Sequence, residues 1–417
     1  MAANPLTGRE ILVGLKKATT WRTAVACGAN DGILILSESF KQNIEHLDDD
    51  SAGLAFIQRT DQGKITAGGP LEAYMRYEGL DVLLALIMGT AGTPSEPNVL
   101  YTTLRSNSYV MADNLSGLFA TLAMLKKSDK VFEYPSVKFH QFSLSGEMNA
   151  PVKLSAQGIA NLLELGSTTN TAATSANITY PDKGNRIIFN SNTHFWLNDE
   201  SGDALDSDDA IYPNSFELSF NRPMEADLVA GNEDVDEPVG EGFPEITLTL
   251  NFPRYNDAND QFFTDWEAFT RKKMEIYFRG TAFTAPEAPS DWSADHAYSA
   301  EDCVKPTVLN GLWYVCTTAG TSHAETEPTW PTTVGETVSD GTAVWTCMED
   351  VYYYEFKLSL PNLKVIDPDA AISGPGKIPV SLSFKVLATD SAPTGMTGIT
   401  KPFQIDVQNT RTTDPLA

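Results

Sequence analysis

Along most of the chain apolar and polar residues alternate. ITLTLNF at 246–252, YEFKLSL at 354–360 and PVSLSFKVL at 379–387 all follow this pattern. A period of two places every second side chain on one face, so these segments predict strands with one buried face. Two segments keep a helical spacing instead. LEAYMRYEGLDVLLALIMG, residues 71–89, predicts a helix that stops at its final glycine. DQFFTDWEAFTRKKM, residues 260–274, predicts a second, with Phe262, Trp266 and Phe269 on one stripe, Asp260 as N-cap and a basic last turn.

The order of segments recurs. LILSESF (34–40) is answered by NSFELSF (214–220), and GKITAGGP (63–70) by PEITLTLN (244–251). A helix candidate follows each. LFATLAML (118–125) is answered by YEFKLSL. PSVKF (135–139) followed by NAPVKLS (149–155) is answered by PNLKV (361–365) followed by KIPVSLS (377–383). A colinear series of five predicts two copies of one β-rich module. The first spans residues 1–165 with an N-terminal arm, and 166–184 form a linker. The second spans 185–284 and 350–417 with a C-terminal arm.

Residues 285–349 break the second module. They hold four of the chain's seven tryptophans, Trp292, Trp313, Trp330 and Trp345, among Gly, Pro, Asp and Asn turns. The first module's corresponding connection is expected at 106–114. The extra residues therefore read as a small all-β domain inserted where a loop points to solvent. So small a domain has little core, and large aromatics fill it economically.

Composition narrows the function. The chain has 417 residues, 29 basic against 55 acidic, with net charge -26 and no basic block. Such a surface repels phosphate backbones and keeps an abundant protein soluble. No secretory leader is visible at the start, and the longest apolar run, VLLALIMG, is too short to span a bilayer. Four cysteines form no CxxC pair. Buried thiols are expected for Cys27, Cys303, Cys316 and Cys347, with one disulfide inside the insert as the alternative. Five histidines lie outside metal spacing of one another, and no nucleophile elbow, phosphate loop or dinucleotide fingerprint occurs. Acidic runs such as NDESGDALDSDD (198–209) read as solvated loops. The expectation is a protein that is not an enzyme and needs no cofactor or metal.

Two resemblances sharpen this. WSADHAYSAEDCV from Trp292, NGLWYVC from Asn310, EPTWP from Glu327 and DGTAVW from Asp340 resemble small carbohydrate-binding-like domains of the chitin-binding type. That resemblance makes Trp292, Tyr298, Trp313, Tyr314 and Trp345 either glycan-stacking rings or simply the insert's core. The body resembles tail tube proteins of long-tailed, non-contractile bacteriophages. The residues carrying this are the GRE near Gly8, the run GLAFIQRTDQGKITAGGPLEAYM (53–75) and the ending PNLKV…GKIPVSLSFKVLA. The resemblance implies a mainly β fold: two tube-type β-sandwich or partial-barrel modules, each with a flanking helix. It further implies a virion protein assembled in the host cytoplasm. Three copies would close a pseudo-sixfold ring, and stacked rings would pass viral double-stranded DNA without specific binding. Its partners would be itself, the tape measure and terminator, with weak host-surface glycan contact conceivable through the insert. The polar segment 46–70, with Asp48, Asp49, Asp50, Arg59 and Lys64, is the candidate inter-ring loop. The competing readings are a tail terminator or head-tail connector, or a carbohydrate-binding surface protein.

Overall fold

A computed structural model describes residues 8–417 apart from 52–55, 128, 181–184, 284–286 and 373. It is mainly β, with 46% of residues in strands and 7% in helices. In chain order the elements used below are β1 (Leu12–Ala18), β2 (Ser37–Glu38), β3 (Lys41–Asp48), β4 (Thr60–Tyr74), α1 (Asp81–Met88), β5 (Arg105–Met111), β6 (Phe119–Lys127), β7 (Lys130–Glu147) and β8 (Lys153–Ala160). They continue with β9 (Thr193–Asp199), β10 (Ser215–Asn221), β11 (Glu245–Phe252), α2 (Asp257–Glu267), β12 (Lys272–Ala282), β13 (Tyr353–Asp369), β14 (Val380–Leu387) and β15 (Gln404–Asn409).

Two series of strands pair in the same order, all antiparallel. The first runs β1, β6, β7, β8, β4, then β2 and β3. The second runs β9, β12, β13, β14, β11, β10. Strand β7 joins them. Its first half pairs with β6, and its last residues, Gln141–Glu147, pair on that same flank with β10. Strand β15 adds a second link, lying between β13 and β5.

The alternating pattern explains the burial. On β10, Phe216, Leu218 and Phe220 point inward; on β7, Phe142 and Leu144; on β11, Ile246, Leu248 and Leu250. Helix α1 lays Leu83, Leu84, Leu86 and Ile87 in the same core, which runs through both series without a break. Phe142, Phe220 and Phe403 meet at the seam, with ring centroids 5.3–6.0 Å apart.

Several sequence expectations change. Helix 71–89 is shorter than its spacing suggested. Residues 71–74 finish the fifteen-residue strand β4, because Leu71 and Ala73 alternate with Glu72 and pair with β8. The helix itself is Asp81–Met88, and Gly89 closes it in the left-handed region at φ 95°. Helix 260–274 starts earlier and ends earlier. Asn256, not Asp260, caps α2 by accepting from the Asn259 amide. Phe262 is buried, but Phe269 falls past the helix end at φ 54° and is 71% exposed.

The insert lies between the two strands expected to flank it, but its counterpart in the first series changes. LFATLAML is β6, whose place in the second series belongs to β12, not to YEFKLSL. Strands β6 and β7 stay paired up to Lys127 opposite Lys130, whereas β12 and β13 are separated by the insert. Residues 106–114 are not its counterpart, since β5 pairs with β15. The inserted residues 290–349 form their own five-stranded sheet and their own aromatic core.

Phe142 touches the seam from the first series, so Phe142→Ala opens a cavity shared by both. The expected loss is about 3–5 kcal/mol in denaturant unfolding, with the body still melting in one cooperative transition. Separate transitions for the two series would show that the seam does not couple them.

Candidate functional site: a polar sheet face between two open edges

Six adjacent strands, β4, β8, β7, β10, β11 and β14, turn their buried sides to the core and present a polar face on the other side. Register aligns that face in rows. One row reads Glu72, Ser155, Ser143, Ser219, Thr247, Lys385. The next reads Tyr74, Lys153, Ser145, Glu217, Thr249, Ser383. Cross-strand hydrogen bonds tie the rows: Ser37 Oγ donates to Glu72 at 2.7 Å, and Asn251 Nδ2 to Ser215 Oγ at 2.9 Å. Glu72, Glu147, Glu217 and Glu245 face only Lys153 and Lys385, and none of the six strands carries an arginine. Hydroxyls dominate and the balance is acidic. A surface of this kind cannot neutralise a row of phosphates.

The positive groups at the margin of this sheet are withdrawn from solvent by burial. Lys138 is buried and bonds Glu237 at 2.5 Å; burial lowers its pKa, and Glu237 opposes that shift. Arg222 is buried beside it and donates to the Ala112 carbonyl at 2.8 Å. On the same strand as Lys138, His140 is pushed below the ordinary histidine range by burial.

Each end of the sheet has an unpaired edge. Beyond Leu363, β13 has β14 on one flank, and among the described residues no strand pairs with the other flank. Leu36–Phe40 bond to β4 on one side and to no strand on the other among the described residues. From this second edge projects a hairpin of β3 and β4. It carries the residues the sequence marked for a loop. Asp48 pairs with Thr60, and the Asp49 amide donates to the Arg59 carbonyl at 3.0 Å. Ser51 holds the exposed Asp49 carboxyl below its ordinary pKa. Arg59 bonds Asp61 at 3.0 Å, and the Lys64 amide donates to Glu45 at 3.4 Å. Asp50 lies exposed past the last pair. So the segment is a paired arm rather than a loop, and part of its tip, 52–55, lies outside the described residues. Beside the tip, Phe56 is 83% exposed.

A β sheet with one polar face, two open edges and a projecting arm is a surface suited to assembly. Among the described residues no group of His, Cys, Asp or Glu could hold a metal ion. The family of phage tail tube proteins matches residues 8–386, nearly the whole chain. The chain belongs to that family. No curated protein sequence matches it.

This places the tail tube protein in the virion tail as a structural, self-assembling component. No helix among its described residues is long and apolar enough to cross a membrane. The match runs through the insert, whose aromatic residues the structure places almost wholly inside. Tyr314 and Trp345 are fully buried, and Trp292 and Tyr298 nearly so. Buried Asp340 organises them. Its carboxylate accepts from Trp292 Nε1 at 2.7 Å, Trp345 Nε1 at 3.1 Å and the His323 amide at 2.8 Å. Gly341 follows at φ 60°, where a side chain would meet the Thr321 carbonyl at 2.3 Å. These rings form the insert's core. Trp313 turns outward from that core, and it stacks on Tyr101 of the body at 6.3 Å, where Tyr352 and Phe283 complete a cluster. It acts as an anchor at the root of the insert. Sequence reasoning missed Asp340, although the DGTAVW motif contains it. The four cysteines are free, and burial pushes the Cys27 thiol up to about 12.

Asp340→Ala would strand two buried indole N–H groups. The insert should lose about 2–4 kcal/mol, read by tryptophan fluorescence, with Asp340→Asn losing less because it keeps an acceptor. His140 gives a pH signature. Its folded pKa is depressed, so the unfolded chain takes up the proton first. Stability therefore falls as pH drops through about 6.5. His140→Gln should flatten the melting temperature between about pH 7 and 5.5 relative to wild type; an unchanged slope would assign it to other groups.

Proposed function

We propose that three copies of this protein close a ring of six similar modules, and that stacked rings form the tube of a non-contractile phage tail. The observation that carries this reading is the repeated strand order, with β7 and β10 joining the two series inside one chain. A module already joined edge to edge with a like module can be joined again by the same means. Residues 1–165 then act as one tube module, and 185–284 with 350–417 as the second.

In this arrangement the hydroxyl-rich, acidic face lines the lumen. DNA slides past it because there are too few cations to release its counterions and hold it. The insert, in a hairpin of one module only, decorates the outside three times per ring. The β3–β4 arm reaches the next ring, with the exposed Phe56 beside its tip offering apolar contact. The tape measure and the tail terminator are the expected partners at the lumen and the tube end.

Electron microscopy of purified protein, classed by rotational symmetry, tests this. Expected are hollow tubes with threefold rings and three outer knobs. Single closed rings that never stack would favour a terminator or connector, and strict sixfold averaging without knobs would remove the trimer.

A further inference from the structure

The junction inside the chain specifies a junction between chains. Strands β8 and β14 share the sequence PV-x-LS, at 151–155 and 379–383. Opposite Ser155 stands Ser143; opposite Ser383 stands Asp367. Asp367 therefore holds the place of Ser143, and Asp369, opposite Ser381, that of Ser145. The other flank matches as well. Ser155 pairs with Glu72 and Glu72 with Ser37, while Ser383 pairs with Thr249 and Thr249 with Glu217. Ser37 holds the place of Glu217. Within the chain, Glu217 lies opposite Ser145, and Ser219 opposite Ser143. The same pairing has no partner for Ser37 or Asp369 among the described residues of one copy.

We propose that residues 36–40 of one copy add as a strand to residues 367–370 of a second copy, in the register Leu36 to Ala370, Ser37 to Asp369 and Ser39 to Asp367. This contact rests on the ring reading above and supplies its closing step. Burial supports it. Phe216, the counterpart of Leu36, is covered by β7 and 3% exposed, whereas Leu36 is 44% exposed. Chemistry fixes the direction. The register sets the Ser39 hydroxyl, which donates, against the Asp367 carboxylate, which accepts. Two β13 edges meeting each other would instead set Asp367 and Asp369 against their own kind, which is destabilising. The contact is therefore head-to-tail, the type that builds rings. Pro368 lacks a donor, and with two acids beside it, it guards this edge against indiscriminate pairing before assembly.

The test is a cysteine pair. Ser39→Cys with Asp367→Cys should give, on mild oxidation of assembled tubes, covalent multimers on denaturing gels that either single variant and wild type lack. Ser143→Cys with Ser219→Cys is the intrachain control and should oxidise without multimers. Hydrogen exchange of the wild-type chain reads the same contact without mutation: amides at 36–40 and 365–370 should gain roughly tenfold protection or more on assembly. Tubes that assemble with neither segment protected overturn this contact while leaving the ring reading intact. A wild-type chain that stays monomeric under assembly conditions overturns the ring reading and this contact with it.

Discussion

The ladder between β7 and β10 is the interaction on which the rest depends. Strand β7 is eighteen residues long, long enough to serve its own series with one half and the other series with its end. That overlap turns two repeats into one sheet with one core. Along the seam an inward Phe or Leu fills the space under the sheet, and an outward Ser, Gln or Glu lies above it. Since side chains alternate strictly along a strand, a slip of one residue would exchange the two faces. The Phe142, Phe220 and Phe403 cluster holds the register against such a slip.

The polar face is a consequence of that register rather than a separate design. Its hydroxyl rows exist because every partner strand keeps the same phase. Basic residues are scarce on the face, and nearby Lys138 is buried in an ion pair with Glu237. An acidic total charge thus becomes a local property of one surface, the one that faces the lumen in the proposed ring.

The insert illustrates a different solution to stability. With few aliphatic residues, it concentrates large rings around a single carboxylate, and the low dielectric makes those hydrogen bonds strong and their loss costly. Its position in a β hairpin leaves the pairing of β12 with β13 intact, and Trp313 stacks on Tyr101 of the body.

The sequence by itself determined the strands, their buried faces, the repeat and the foreign character of residues 285–349, because alternation and composition are local properties. It also marked LILSESF against NSFELSF in the register the ladders keep. It misjudged what depends on distant partners. Residues 71–74 look helical beside an apolar run, but β8 claims them as strand. Residues 46–70 look like a loop because a solvent-exposed hairpin has no buried face to alternate with. The aromatic residues of the insert could have been surface or core, and only packing around Asp340 decided. The hairpin of the first series that corresponds to the insert's, the shared core and the unpaired edges came from tertiary structure alone, because hydrogen bonding between strands far apart in sequence leaves no local trace.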